Sequence, residues 1–161
     1  ERVLALGKKA AENLRSMGMA LTSCTVPAKG APTFSIGEDE MEIGMGLHGE
    51  PGIERTKLRP ANEVAELLVS KAAADFPLKG GETVAVLING LGATPLMELY
   101  IVGRAVADYL KAHGIKIHRS YVGEFATSME MAGCSVSLLR LDDELASLLD
   151  YPADTLTFKQ V

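Results

Sequence analysis

Val3, Leu6, Ala10, Leu14 and Met17 recur at helical spacing, which predicts an amphipathic helix from the start of the chain to just before Gly18. The next residues, "MALTSCTV", are rich in β-favouring types and predict a strand, with Pro27, Gly30 and Pro32 marking an extended loop after it. From Met41 the pattern alternates. Met41, Ile43, Met45 and Leu47 share one face, and Glu42, Gly44, Gly46 and His48 share the other, so the strand carries one half-bare face. In "EPGI", Pro51 and Gly52 occupy the central positions of a type II turn, which predicts that this strand ends just past His48.

Residues 60–76 predict a helix with Val64, Leu67 and Leu68 turned inward and Pro77 stopping it. "TVAVLIN" is a near-continuous apolar run, the pattern of a central strand covered on both faces. A second long helix follows, with Thr94 as its cap, Pro95 at its first position and Leu96, Leu99, Gly103, Val106 and Leu110 as its buried stripe up to Gly114. "IKIHRSYVG" and "CSVSLLRL" predict further strands, and "DDELASLLD" a short helix capped by Asp142. Strands alternating with helices predict an α/β fold with most helices against a mixed sheet.

Composition narrows the function classes. The 161 residues are 47% hydrophobic and 23% charged, which suits one globular domain. A net charge of -5, with Lys and Arg dispersed among acids, argues against a nucleic-acid partner and favours a small molecule or a basic partner. No run is long enough to cross a bilayer and no export signal opens the chain, so no membrane partner and a cytoplasmic location are expected. Cys24 and Cys134 lie far from each other in sequence and from any histidine at ligand spacing, which predicts two reduced, mostly buried thiols and no metal site. A helical pattern already running at Glu1, without Met or cap, predicts that the chain is one domain of a longer protein.

Gly44 and Gly46 leave the face that carries His48 without side chains, at a strand end where sites in α/β folds gather. By periodicity alone two readings stand: an imidazole open to a ligand, or a core histidine beside glycines that admit a packed element. His113, in a last helical turn, and His118, in a strand without flanking glycines, suit structural roles. "INGLGATPLMEL" is a strand, a glycine-rich turn and a helix start, but it lacks a P-loop lysine and dinucleotide spacing, so a tight connection is expected rather than a phosphate cradle. "GEDEMEIG" reads as solvated turn carboxylates, and Ser128 as loop packing. The seven methionines read as filling gaps in the core.

"GMGLHGEPGIER", "VLINGLGATPLMELY" and "RSYVGEFATSMEMAGCSVSLLRLDDEL", in this order, resemble the C-terminal half of the substrate-binding subunit of dihydroxyacetone kinases, over essentially the whole chain. The resemblance implies that residues 1–161 form the C-terminal domain of that subunit, a two-layer α/β domain with a mixed sheet of about six strands and helices mainly on one face. It implies that His48 is the catalytic residue, forming a covalent hemiaminal with the carbonyl carbon of dihydroxyacetone, with Gly44 and Gly46 as substrate-binding neighbours. The remaining hydroxyl contacts, an acid and a histidine, would come from an N-terminal domain outside this chain. The chain itself would hold no cofactor: ATP or ADP with Mg would sit on a partner kinase subunit or domain, and the full subunit would be a homodimer. A regulatory paralogue that senses the ketone without catalysis is the alternative. Glu42 and Glu50, at even spacing from His48, are the candidates for steering its second ring nitrogen.

Overall fold

The computed structural model describes residues 1–47 and 50–161; His48 and Gly49 lie outside the described residues. Its helices are α1 (Arg2–Glu12), α2 (Ala61–Ala74), α3 (Leu96–Ala112) and α4 (Asp143–Leu149). Its strands are β1 (Leu14–Ala20), β2 (Glu40–Ile43), β3 (Glu54–Lys57), β4 (Thr83–Gly90), β5 (Lys116–Gly123), β6 (Gly133–Leu141), β7 (Ala153–Asp154) and β8 (Lys159–Gln160). Six strands form one sheet in the order β3-β2-β1-β6-β4-β5, and β7 pairs with β8 separately. Only β4 and β5 are parallel within the large sheet, as they must be when α3 returns the chain between them; the other neighbours are antiparallel. The mixed α/β sheet is therefore as expected.

The core follows from alternation. Val84, Val86 and Ile88 of β4 and Cys134, Val136 and Leu138 of β6 meet Val64, Leu68 and Val69 of α2 and Leu99, Val102, Val106 and Leu110 of α3 in one cluster. β4 lies inside the sheet between β6 and β5, which explains its unbroken apolar run. Ser135 and Ser137 alternate out of the cluster and face the other side of the sheet, where a cleft opens. Leu67 is only partly buried at the edge of this core.

Several local expectations fail for identifiable reasons. The first helix stops at Glu12, and Leu14 to Ala20 form a strand paired along its whole length with Leu139 to Gly133. Leu14 and Met17 match a helical period only by coincidence; Met17 and Met19 also share a strand face, and a seven-residue ladder outweighs local propensity. The strand predicted over 19–26 thus ends at Ala20. β2 ends at Ile43 because Gly44 takes φ +81 and breaks the pleat. Gly52 lacks the positive φ of a type II turn, and the chain instead returns as β3 against β2. Thr94 does not cap α3: its Oγ1 donates to the Gly133 carbonyl and accepts from the Gly133 N–H, both at 2.8 Å. Leu96 is half exposed, and Val102 completes the buried stripe of α3. Asp142 does cap α4, accepting from Leu145 N–H at 2.9 Å. No helix among the described residues is long and apolar enough to cross a membrane.

Candidate functional site

The segment that contains His48 leaves the sheet at Ile43 and returns at Ile53. Its base is closed by the Ile53 N–H donating to the Ile43 carbonyl at 2.7 Å, and Gly44 N–H donates to the Gly18 carbonyl of β1, also at 2.7 Å. A third tie is made by Glu42. One carboxylate oxygen accepts from Gly52 N–H at 3.0 Å and the other from the Arg55 guanidinium at 2.6 Å. The Arg55 hydrogen bond, helped by Gly52 and opposed by partial burial, holds the Glu42 carboxyl below the usual carboxylate range. Both Glu42 oxygens are thus engaged in holding the loop base. Higher in the loop, Gly46 N–H donates to the Glu50 carbonyl at 3.3 Å.

The two glycines are covered by their own loop. A Cβ at Gly44 would lie 2.9 Å from Cγ1 of Ile53, and one at Gly46 would overlap the Glu50 carboxylate. The space above them is therefore filled from residues 50–53, which corrects the expectation of a bare face. Their other side borders a cleft of about 400 Å³ on the sheet face opposite α2 and α3, floored by Ser16, Gly18, Ser135 and Ser137. Ser16 and Ser137 are hydrogen-bonded across β1 and β6 at 2.6 Å.

Asn89 forms the far wall. It is buried at the end of β4, accepts from Phe125 N–H (2.9 Å) and Ala126 N–H (2.8 Å), and donates to the Ala126 carbonyl at 2.8 Å. It pins the 124–126 loop beside the cleft, a role that the sequence signals only as one amide in an apolar run. In the following turn the Glu124 carboxylate accepts from Gly92 N–H; burial raises its pKa and that hydrogen bond opposes the rise. A carboxylate already occupies an amide that a phosphate cradle would need, in keeping with a tight connection.

The other candidates fall into structural roles. His113 stacks on Tyr109 and contacts its carbonyl at 2.8 Å, while His118 pairs with Asp150 at 2.9 Å. Ser128 is buried and donates to Cys24 Sγ at 3.5 Å. Both thiols are free and buried, and burial pushes that of Cys134 up to about 12.

Residues 1–157 match the model of the Dak1 domain. The chain belongs to that family. It is 51% identical over 94% of its length to the dihydroxyacetone-binding subunit of a PTS-dependent dihydroxyacetone kinase from Listeria innocua. It spans 46% of that relative, and so about half the length of the curated kinase subunits it matches. Among solved structures, a co-activator of a dihydroxyacetone kinase operon matches with a TM-score of 0.86 and 31% identity, over 93% of this chain and 47% of that one. The dihydroxyacetone kinase of C. freundii, solved with AMP-PNP and Mg2+, matches with a TM-score of 0.84 and 29% identity, over 99% of this chain and 29% of that one.

Proposed function

We propose that this domain is the ketone-holding C-terminal half of a dihydroxyacetone-binding kinase subunit, with His48 as the covalent anchor and Gly44 and Gly46 as its neighbours at the cleft. The observation that carries the reading is the 51% identity, over 94% of the chain, to a subunit named for binding dihydroxyacetone. The loop geometry supports it. A segment clamped at its base by Ile53, Gly52 and Arg55 supplies a defined platform beside a polar-floored cleft.

In the proposed step a neutral imidazole nitrogen donates its lone pair to the carbonyl carbon. The C=O π electrons move to oxygen, which takes up a proton, while the ring loses the proton of its other nitrogen. The product is a reversible hemiaminal that fixes the ketone and leaves a hydroxyl free to attack a phosphoryl donor. Glycerol, which lacks a carbonyl, forms no such adduct, so the covalent contribution separates the two polyols. The donor, ATP or ADP with Mg, belongs in this reading to a partner subunit or domain, and an N-terminal domain supplies the groups that deprotonate the attacking hydroxyl.

Carbon-13 NMR with dihydroxyacetone labelled at its carbonyl tests the reading. A tetrahedral carbon signal with the wild-type chain, absent in His48→Ala, is the expected result. A bound ketone whose carbonyl stays intact refutes the covalent role, and no binding at saturating ketone refutes the ligand assignment. A second reading, a ketone-sensing regulatory domain, draws on the match to an operon co-activator. Phosphoryl transfer by the full-length protein with its nucleotide-binding partner separates the two: turnover supports the kinase reading, and binding without turnover supports the sensor.

A further inference from the structure

Among the described residues, α1 is the helix that buries no side chain, whereas α2, α3 and α4 each bury at least one. Leu6, Lys9 and Ala10 are half-buried on its inner side, and Val3 and Leu4 are 85% and 64% accessible. Beside it runs a groove of about 240 Å³, lined by Lys9, Asn13, Arg140, Asp142 and Leu145, so the helix borders a gap instead of packing into a core. A helix of 11 residues is marginal in water without tertiary support, and Gly7 in its middle lowers its intrinsic stability further. Something other than apolar packing keeps α1 ordered.

Polar attachments do so. At the C-terminal end of α1, Asn13 is fixed to β6: its carbonyl accepts from Arg140 N–H at 2.9 Å, and its Oδ1 accepts from Arg140 Nε–H at 3.0 Å. One turn back, Lys9 pairs with the carboxylates of Asp142 and Glu144, the second at 3.0 Å, and Arg2 stands 3.6 Å from Glu144. These acids are the cap and the first turn of α4. Asp142 is held there by the Leu145 N–H, and the positive end of the helix dipole favours both carboxylates. They form a fixed receptor, and Lys9, on its flexible stem, is the movable half. Ion pairs this exposed are strongly screened by salt, whereas the hydrogen bonds from Asn13 to the strand are not.

We propose that α1 is an electrostatically latched arm, with Asn13 as its pivot and Lys9 on Asp142 and Glu144 as its latch. The arm unwinds when salt or a competing ion opens the latch, and the sheet stays folded. The inference involves no residue that lines the cleft and is independent of the ketone chemistry.

Hydrogen exchange of the full chain at about 0.1 M and about 1 M sodium chloride tests it, with the β6 amides as internal reference. The amides of residues 6–12 should exchange about 3-fold to 10-fold faster at the higher salt, with those of β6 unchanged. Lys9→Met keeps an apolar stem and removes the charge, so it should produce the same acceleration at low salt and remove most of the salt dependence. Gly7→Ala strengthens the helix without touching the latch, because a Cβ there meets nothing within 4 Å. It should slow exchange by about 4-fold to 5-fold in the wild type and in Lys9→Met alike. Equal protection of α1 and β6 at both salt concentrations, or protection that Lys9→Met leaves unchanged, overturns the proposal. An α1 already unprotected at low salt overturns it too, because the latch then holds nothing. Failure of Gly7→Ala to slow exchange does the same, since the arm would then open by a route other than unwinding.

Discussion

Glu42 is the side chain on which the base of the His48 segment depends, and replacing it by Gln isolates the charge from the shape. The amide oxygen of the substituted side chain can still accept from Gly52 N–H, but the hydrogen bond to a charged acceptor becomes a neutral one. Hydrogen bonds to charged groups contribute about 1.5–3 kcal/mol and neutral ones about 0.5–1.5, so Glu42→Gln should cost about 1 kcal/mol. Arg55 is the main cause of the lowered Glu42 carboxyl, but its guanidinium is nearly half exposed, so solvent screening keeps its share of the stability within that figure. In a chain of this size, about 1 kcal/mol lowers the melting temperature by about 2–4 °C.

The pH dependence gives the prediction its sharper form. The folded state holds the Glu42 carboxyl below its usual range, so its contribution is complete above the unfolded value of about 4 and is lost as pH falls through the lowered folded value. Thermal unfolding followed by circular dichroism should show a gap between wild type and Glu42→Gln that is constant from neutral pH to about pH 5 and closes below about pH 4. Hydrogen exchange across residues 50–57 should quicken in the variant at neutral pH, because Gly52 N–H and the β2–β3 pairing share this tie. A gap that persists undiminished in acid, or none at neutral pH, refutes the assignment of the charge to the loop base. Ketone affinity unchanged in both Glu42→Gln and Glu50→Gln would remove these two carboxylates from any role in steering His48.

Gly133→Ala should be far more damaging than any change in the loop: Gly133 has φ +152, and a Cβ there overlaps the Met19 carbonyl and lies 2.9 Å from Cα of Ala20. Urea unfolding should show a loss above about 3 kcal/mol, and a loss below about 1 kcal/mol contradicts the packing described. Asn89→Ala removes three hydrogen bonds to the 125–126 backbone and should cost about 2–4 kcal/mol, with exchange of the Phe125 and Ala126 amides accelerated. A near-neutral result would mean that water replaces the side chain. Cys134, its thiol pushed up to about 12, should resist iodoacetamide at pH values that label the unfolded chain, as read by intact mass; rapid labelling of the native protein refutes its burial.

Where burial on a single element decides structure, the sequence was a sufficient guide. The apolar run of β4, the Leu99-Val106-Leu110 spacing of α3 and the Asp142 cap of α4 each carry their cause within a few residues. Where a distant strand decides, it was not. Leu14 to Ala20 became a strand because β6, more than a hundred residues on, offers a complete ladder, and the polar β3 exists only as the partner of β2. The signal for Asn89 was present, since a lone amide in an apolar run requires a partner once buried, but nothing nearby in sequence names the Phe125 and Ala126 backbone as that partner.

The glycines beside His48 show the same limit at the site itself. A missing side chain at Gly44 and Gly46 states that something approaches closely, and an alternating pattern cannot say what does. In the fold the approaching groups are Ile53 and the Glu50 carboxylate from the returning arm of the same loop. The glycines therefore let the loop close on itself, so that Gly44 and Gly46 present only their backbone to the cleft. The cleft lies on the serine-floored side of the sheet, and the arms of the segment that leaves at Ile43 and returns at Ile53 are held by the ties at Ile43, Glu42 and Gly18, with no open space above the two glycines.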